Sequence, residues 1–306
     1  MKTRLLPLIV IILALTNLVS VYFLMQKPAE LENPFPLVDF SRSFIPQEHF
    51  IVNVSPLREE LNDLVSRHKD LQVSLYMEFL NTGSNININS ELGVWPASLI
   101  KLPIALAATK KVENGVWKWD DELVLYDKDK NADFGTLYQQ PEGSRHTIES
   151  LVSELLSNSD NTAYYMLLRN IETLQLEDVV KELGMEGLYD QDRKIRVKDY
   201  GRIMRSLYVS SYLKRENSQK FLTFLTQSTV NDMASQGIPK HIPFAHKIAI
   251  NRKLLVFGDA GIVYLPNRPY LISLMVQCSD LEQEQEAVAL IHDMSKMIYE
   301  YFSTYE

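Results

Sequence analysis

Trp95-Pro96-Ala97-Ser98-Leu99-Ile100-Lys101-Leu102-Pro103-Ile104-Ala105-Leu106-Ala107-Ala108 changes character along its length. An aromatic and a proline lead into a hydroxyl, an amine follows three residues later, and the remainder is small and apolar. Positions i and i+3 share a helix face, so Ser98 and Lys101 stand one turn apart. A lysine in such a run is expected to be buried, and burial lowers its pKa until it can take a proton from serine. The serine would open a helix, where partial positive charge favours an oxyanion. S-x-x-K alone is a weak signal, and it recurs at Ser66/Lys69 and Ser211/Lys214. Those copies lie beside Arg67, His68 and Asp70, and beside Arg215 and Glu216, and read as solvated helix surface.

Before this stretch, residues 56–69 carry Leu57, Leu61 and Leu64 at helical spacing. Residues 72–80 and 85–89 flank the turn Asn81-Thr82-Gly83-Ser84 and read as a hairpin. After it, helices are predicted over 99–113, 148–156, 162–171, 176–183, 197–208 and 218–227. Strand signals return at 244–250, 254–264 and 270–277, and a final helix at 281–302. This order predicts an α/β protein of the α+β type. One antiparallel sheet is built from both ends of the chain (about 51–97 and 240–306), with flanking helices and an inserted all-helical lobe (about 98–239). A site would lie between the lobes.

The 306 residues carry a net charge of -8, so no overall basic surface is available to neutralise a phosphate backbone, and nucleic acid is not an expected partner. The single cysteine, Cys278, excludes an internal disulfide and is expected as a buried strand thiol. The six histidines show no metal-ligand spacing, so neither metal nor other cofactor is expected.

Residues 5–25 form an apolar run long enough, at ~1.5 Å per residue, to span a hydrocarbon core of roughly 30 Å. Lys2 and Arg4 precede it while Glu30 and Glu32 follow, which leaves a cytoplasmic tail (1–4) and places the rest outside. A single transmembrane signal-anchor helix is therefore expected, in preference to a cleaved signal peptide, because the run is long for one and no A-x-A-like site follows. Residues 26–50, with Pro28, Pro34, Pro36 and Pro46, read as an extracytoplasmic linker to a domain at 51–306.

Two further elements combine with Ser98 and Lys101. Ser159-Asp160-Asn161 lies between two predicted helices, where alone it would read as a helix cap. Lys247 lies on the first late strand, where alone it would read as an edge charge. S-x-x-K, S-D-N and a lysine strand, in that order, form the signature of class A β-lactamases and penicillin-binding proteins. From about residue 50 onward the chain resembles that family. The 61 residues separating Ser98 from Ser159 are close to its usual interval, and Pro141-Glu142-Gly143-Ser144-Arg145-His146-Thr147 is a further similar stretch.

The resemblance implies a serine hydrolase that forms an acyl-enzyme on β-lactams or peptidoglycan-like amides. By motif position, Ser98 would be the nucleophile, Lys101 its proton acceptor, and Ser159 the relay to the leaving nitrogen. Asn161 would bind the substrate's amide side chain and Lys247 its carboxylate. The backbone N–H groups of Ser98 and Ile250 would form the oxyanion hole, and Asp160 would brace its loop.

Two departures stand out. The family's K-T-G or K-S-G is replaced by Lys247-Ile248-Ala249, which removes a hydroxyl and adds a methyl. The E-x-x-L-N loop, whose glutamate activates the deacylating water, has no counterpart between Asn161 and Lys247. That interval, 86 residues, is short for the family, and Asp190 and Asp192 lie in the shortened connection. Slow deacylation is expected. A D-alanyl peptidase-type penicillin-binding protein, or an inert wall- or ligand-binding module that keeps the fold, are the alternatives.

Overall fold

The computed structural model describes residues 13–19, 35–38, 52–185 and 194–305. Two compact units are distinguished, Met1–Pro34 and Phe35–Glu306. In the first, residues 13–19 are helical and exposed, while the other residues of the expected anchor at 5–25 and the tail at 1–4 lie outside the described residues. Among the described residues, no helix is long and apolar enough to cross a membrane.

The second unit is built on a five-stranded antiparallel sheet in the order β2-β1-β7-β6-β5. Its strands are β1 (Gln72–Phe79), β2 (Asn85–Ile88), β5 (Phe244–Asn251), β6 (Val256–Val263) and β7 (Tyr270–Gln277). Alternation along β1 explains how both faces are covered. Val73, Leu75, Met77 and Phe79 enter one core with Leu57 and Leu61 of α1 (Ser55–Ser66) and with Leu290, Ile291, Met294 and Ile298 of α8 (Glu284–Thr304). Tyr76, between them, faces α6 (Val197–Tyr208), where a Cβ at Gly201 would stand 2.4 Å from its ring. Glycine there lets the helix lie against the sheet.

The second core fills the insertion. Its central helix, α2 (Lys101–Glu113), buries residues on every side, as its nearly unbroken apolar sequence requires. Around it stand α3 (Ile148–Ser157), α4 (Asn161–Arg169) and α5 (Thr173–Glu182), with α7 (Arg215–Thr226) packing on β5.

Two expectations need correction. The insertion is not all helix, because β3 (Glu122–Val124) pairs with β4 (Arg145–Thr147) in a small second sheet. Strands of three residues are too short to show an alternating pattern. Of the segment expected as an extended linker, the described residues 35–38 are docked: Val38 is 3% exposed, the Leu37 N–H donates to Gln219 Oε1 at 2.8 Å, and Tyr264 donates its hydroxyl to Leu37 O at 2.9 Å. The compact unit thus starts at Phe35, ahead of the expected boundary at 51.

Candidate active site

Ser98 lies in a 3-10 turn, Ala97–Ile100, that runs directly into α2. Ala97, just before it, has φ 47°, a left-handed conformation that costs a non-glycine residue energy and clusters at functional sites. The turn lies against β5, which carries Lys247 and is an edge strand of the main sheet. The other two S-x-x-K pairs, Ser66/Lys69 and Ser211/Lys214, are exposed, as their charged neighbours imply.

Lys101, the first residue of α2, is 3% exposed. Its Nζ is 2.5 Å from Ser159 O, 2.6 Å from Asn161 Oδ1 and 3.0 Å from Ser159 Oγ. Two of these three partners can only accept, whereas the hydroxyl can accept or donate. The arrangement therefore satisfies the ammonium, which donates three times, and equally the neutral amine, which donates twice and accepts from Ser159. Burial lowers the Lys101 pKa to about 7, with the negative charge of Asp160 opposing it. The amine can exchange protons near neutrality.

Ser159 and Asn161 are presented by the turn between α3 and α4. Ser159 has φ 54°, and Asp160 caps α4 by accepting from the Ala163 N–H at 2.8 Å. Its other carboxylate oxygen accepts from the Leu137 N–H at 2.9 Å, so Asp160 braces the turn. The loop that receives it passes so close that a Cβ at Gly135 would lie 2.0 Å from Asp160 Oδ2. Gly135 also has φ +84°, so both space and conformation require glycine.

This loop supplies site residues that sequence reading missed. Asn161 donates Nδ2 to Asn131 Oδ1 at 2.9 Å and its backbone N–H to Phe134 O at 3.0 Å, and the Phe134 ring centroid is 5.8 Å from Lys101 Nζ. Residues 127–140 are a polar, aperiodic string, and only the glycine hinted at a constrained turn.

Lys247 is 2% exposed and donates to Leu156 O at 3.1 Å, which ties β5 to the end of α3. Burial and the positive charge of Lys101 push its pKa well below the ordinary lysine range, opposed by Asp259. Ile248 is buried with Asp259 as its cross-strand partner, and Ala249 is paired with Gly258. Ile250, half-buried, is paired with Phe257, its side chain against the α1/α8 core. Lys101, Ser159, Asn161 and Lys247 thus converge on the turn that bears Ser98.

Asp190 and Asp192 lie outside the described residues. Among the described residues, no carboxylate hydrogen-bonds Lys101 or Ser159, and no group of three His, Cys, Asp or Glu side chains could hold a metal ion.

Comparison with known proteins bears on this geometry. The profile of the family described as "Beta-lactamase enzyme family" matches residues 56–302. Beta-lactamase VEB-1 of Pseudomonas aeruginosa is 21% identical over 263 residues, covering 78% of this chain and 88% of that protein. Among solved structures, a mutant of PBP-A in its acyl-enzyme complex with penicillin-G superposes with a TM-score of 0.75 at 25% identity, over 82% of this chain and 97% of that one. A beta-lactamase from Sphaerobacter thermophilus shares the fold with a TM-score of 0.73 at 20% identity, over 83% of this chain and 100% of that one.

Proposed function

The chain belongs to the beta-lactamase enzyme family, and from that premise we propose that it is a hydrolase acylated on Ser98 by β-lactams or peptidoglycan-like amides, with slow release of the acyl group. The observation that carries this reading is Lys101: a buried amine one turn from Ser98, bonded to Ser159, with its pKa lowered to about 7. Neutral Lys101 takes the Ser98 proton as the oxygen attacks the carbonyl carbon. The negative charge that develops on the carbonyl oxygen is met by the Ser98 and Ile250 N–H groups. Lys101 then returns the proton through Ser159 to the leaving nitrogen, whose bond to carbon breaks to leave a Ser98 ester. Asn161 holds the substrate's amide. A substrate carboxylate beside Lys247 pairs with its buried amine.

The test is intact-protein mass spectrometry with penicillin G. One adduct is expected, lost in Ser98→Ala and kept in Ser66→Ala and Ser211→Ala. An adduct that survives Ser98→Ala would refute the assignment.

A penicillin-binding-protein reading, with a D-alanyl peptide as the natural substrate, is favoured by the 25% identity to PBP-A together with the missing E-x-x-L-N string. The proposal places the domain outside the cytoplasm on an anchor at 5–25, supported by the apolar length and the Lys2/Arg4 flank. Full-length chain should fractionate with membranes and resist carbonate extraction. Recovery as a shortened soluble form would contradict the anchor.

A further inference from the structure

Behind the lysine strand lies a buried polar group that the acylation chemistry does not use. His246 is 2% exposed and adjoins Lys247 on β5, and alternation along the strand sends the two side chains to opposite faces. Its Nδ1 faces the carboxylate of Asp259 on β6, 2.9 and 3.1 Å from the two oxygens, and its ring stacks on Phe244 at 4.2 Å. On the far side, Nε2 faces Asn231 Oδ1 at 3.1 Å. The orientation of that amide is set by its Nδ2, which donates to Ser228 O at 2.9 Å. Both ring nitrogens therefore face acceptors, and only a ring carrying two protons makes both bonds. Asp259 is fully buried, and a buried carboxylate without a cation is strongly destabilising.

The contacts lead back to the site. Asn231 belongs to the segment 228–231 that follows α7, where the Thr229 N–H donates to Ser157 O at 3.1 Å and Thr229 Oγ1 donates to Asn158 Oδ1 at 2.9 Å. Ser157 and Asn158 immediately precede Ser159. One short segment thus grips the residue beside Lys247 and the residues beside Ser159.

We propose that His246 is a positioning residue for the lysine strand: as an imidazolium held between Asp259 and Asn231, it fixes β5 against the Ser159 turn, so that the Lys247 amine is placed for the carboxylate of a ligand. This rests on the reading of Lys247 as the carboxylate site.

The test compares penicillin G with its neutral methyl ester in covalent labelling of the full chain. In His246→Gln, and more weakly in Asn231→Ala at an exposed residue, labelling by the acid should fall about tenfold relative to the ester, the effect of misplacing one charge-assisted hydrogen bond. Loosened packing would slow both probes alike, so equal losses, or an unchanged acid-to-ester ratio in both variants, overturn the proposal. Nitrogen-15 NMR of labelled histidine should find both His246 ring nitrogens protonated under the assay conditions, and a neutral ring would overturn it independently of activity. A wild-type chain that takes no label refutes the proposed acylation instead, and the ring measurement still decides the state of His246. Should His246→Gln fail to fold, Asn231→Ala and the ring measurement carry the test.

Discussion

In the proposed acylation Lys101 is the base, and its surroundings fix the sign of a pH effect. Burial lowers its pKa to about 7, so below that value the amine is protonated and cannot accept from Ser98, while above it the base form prevails. The acylation rate should therefore rise through a midpoint near pH 7 and level off above it, read as adduct formed against time at each pH. Asp160 opposes the shift, so Asp160→Asn should move the midpoint to lower pH, since removing a nearby anion disfavours the ammonium further. The variant also loses one carboxylate oxygen that accepts from Leu137, which makes it less stable but does not reverse the direction. A midpoint that stays put or moves upward would show that another group sets the profile.

At the scale of elements, the long ones were legible because their periodicity is: β7 is found at the predicted 270–277 and α6 at the predicted 197–208. The helix predicted from 99 begins as α only at Lys101, because its first turn is 3-10, which no side-chain pattern distinguishes from α. Ser159, Asn161 and Lys247 stand out in the sequence only by their order after Ser98 and Lys101, because alone they read as a helix cap and an edge charge. Asn131, Phe134 and the His246–Asp259 pair do not stand out, because their significance arises only from contacts between distant segments. The bracing loop gives the next prediction. Gly135→Ala meets both a positive φ and the Asp160 carboxylate, whereas Gly143→Ala meets a positive φ of +83° with nothing within 4 Å. Both should destabilise, but Gly135→Ala by about 1–3 kcal/mol more, with slower labelling because Asn161 is hung from the same loop. Urea unfolding midpoints of the two variants measure the difference, and equal midpoints would mean the loop yields freely.

At the scale of the whole molecule, the parts required for acylation and the part required for deacylation come from different segments, and only the first set is assembled in what is described. The proposed nucleophile, amine and hydroxyl are carried by the Ser98 turn, α2 and the Ser159 turn, which the core holds together. Hydrolysis of the Ser98 ester needs in addition a base that positions water, and such a base commonly contributes about 100- to 10,000-fold. The resemblance puts that base in an E-x-x-L-N loop between S-D-N and the lysine strand, an interval that includes the connection from α5 to α6. Here that connection is residues 183–196, it contains no E-x-x-L-N, and Ile195 already pairs with Val94 just before the Ser98 turn. Deacylation should therefore limit turnover: a chromogenic cephalosporin is expected to give a burst of about one equivalent of product, set by the single nucleophile, and then a steady state slower by a factor of the order that a missing general base implies. Rapid turnover without a burst would mean that a carboxylate does reach the ester. Asp190→Asn and Asp192→Asn would then identify it, because loss of the true base would convert rapid turnover into the burst pattern, while loss of the other would leave it unchanged.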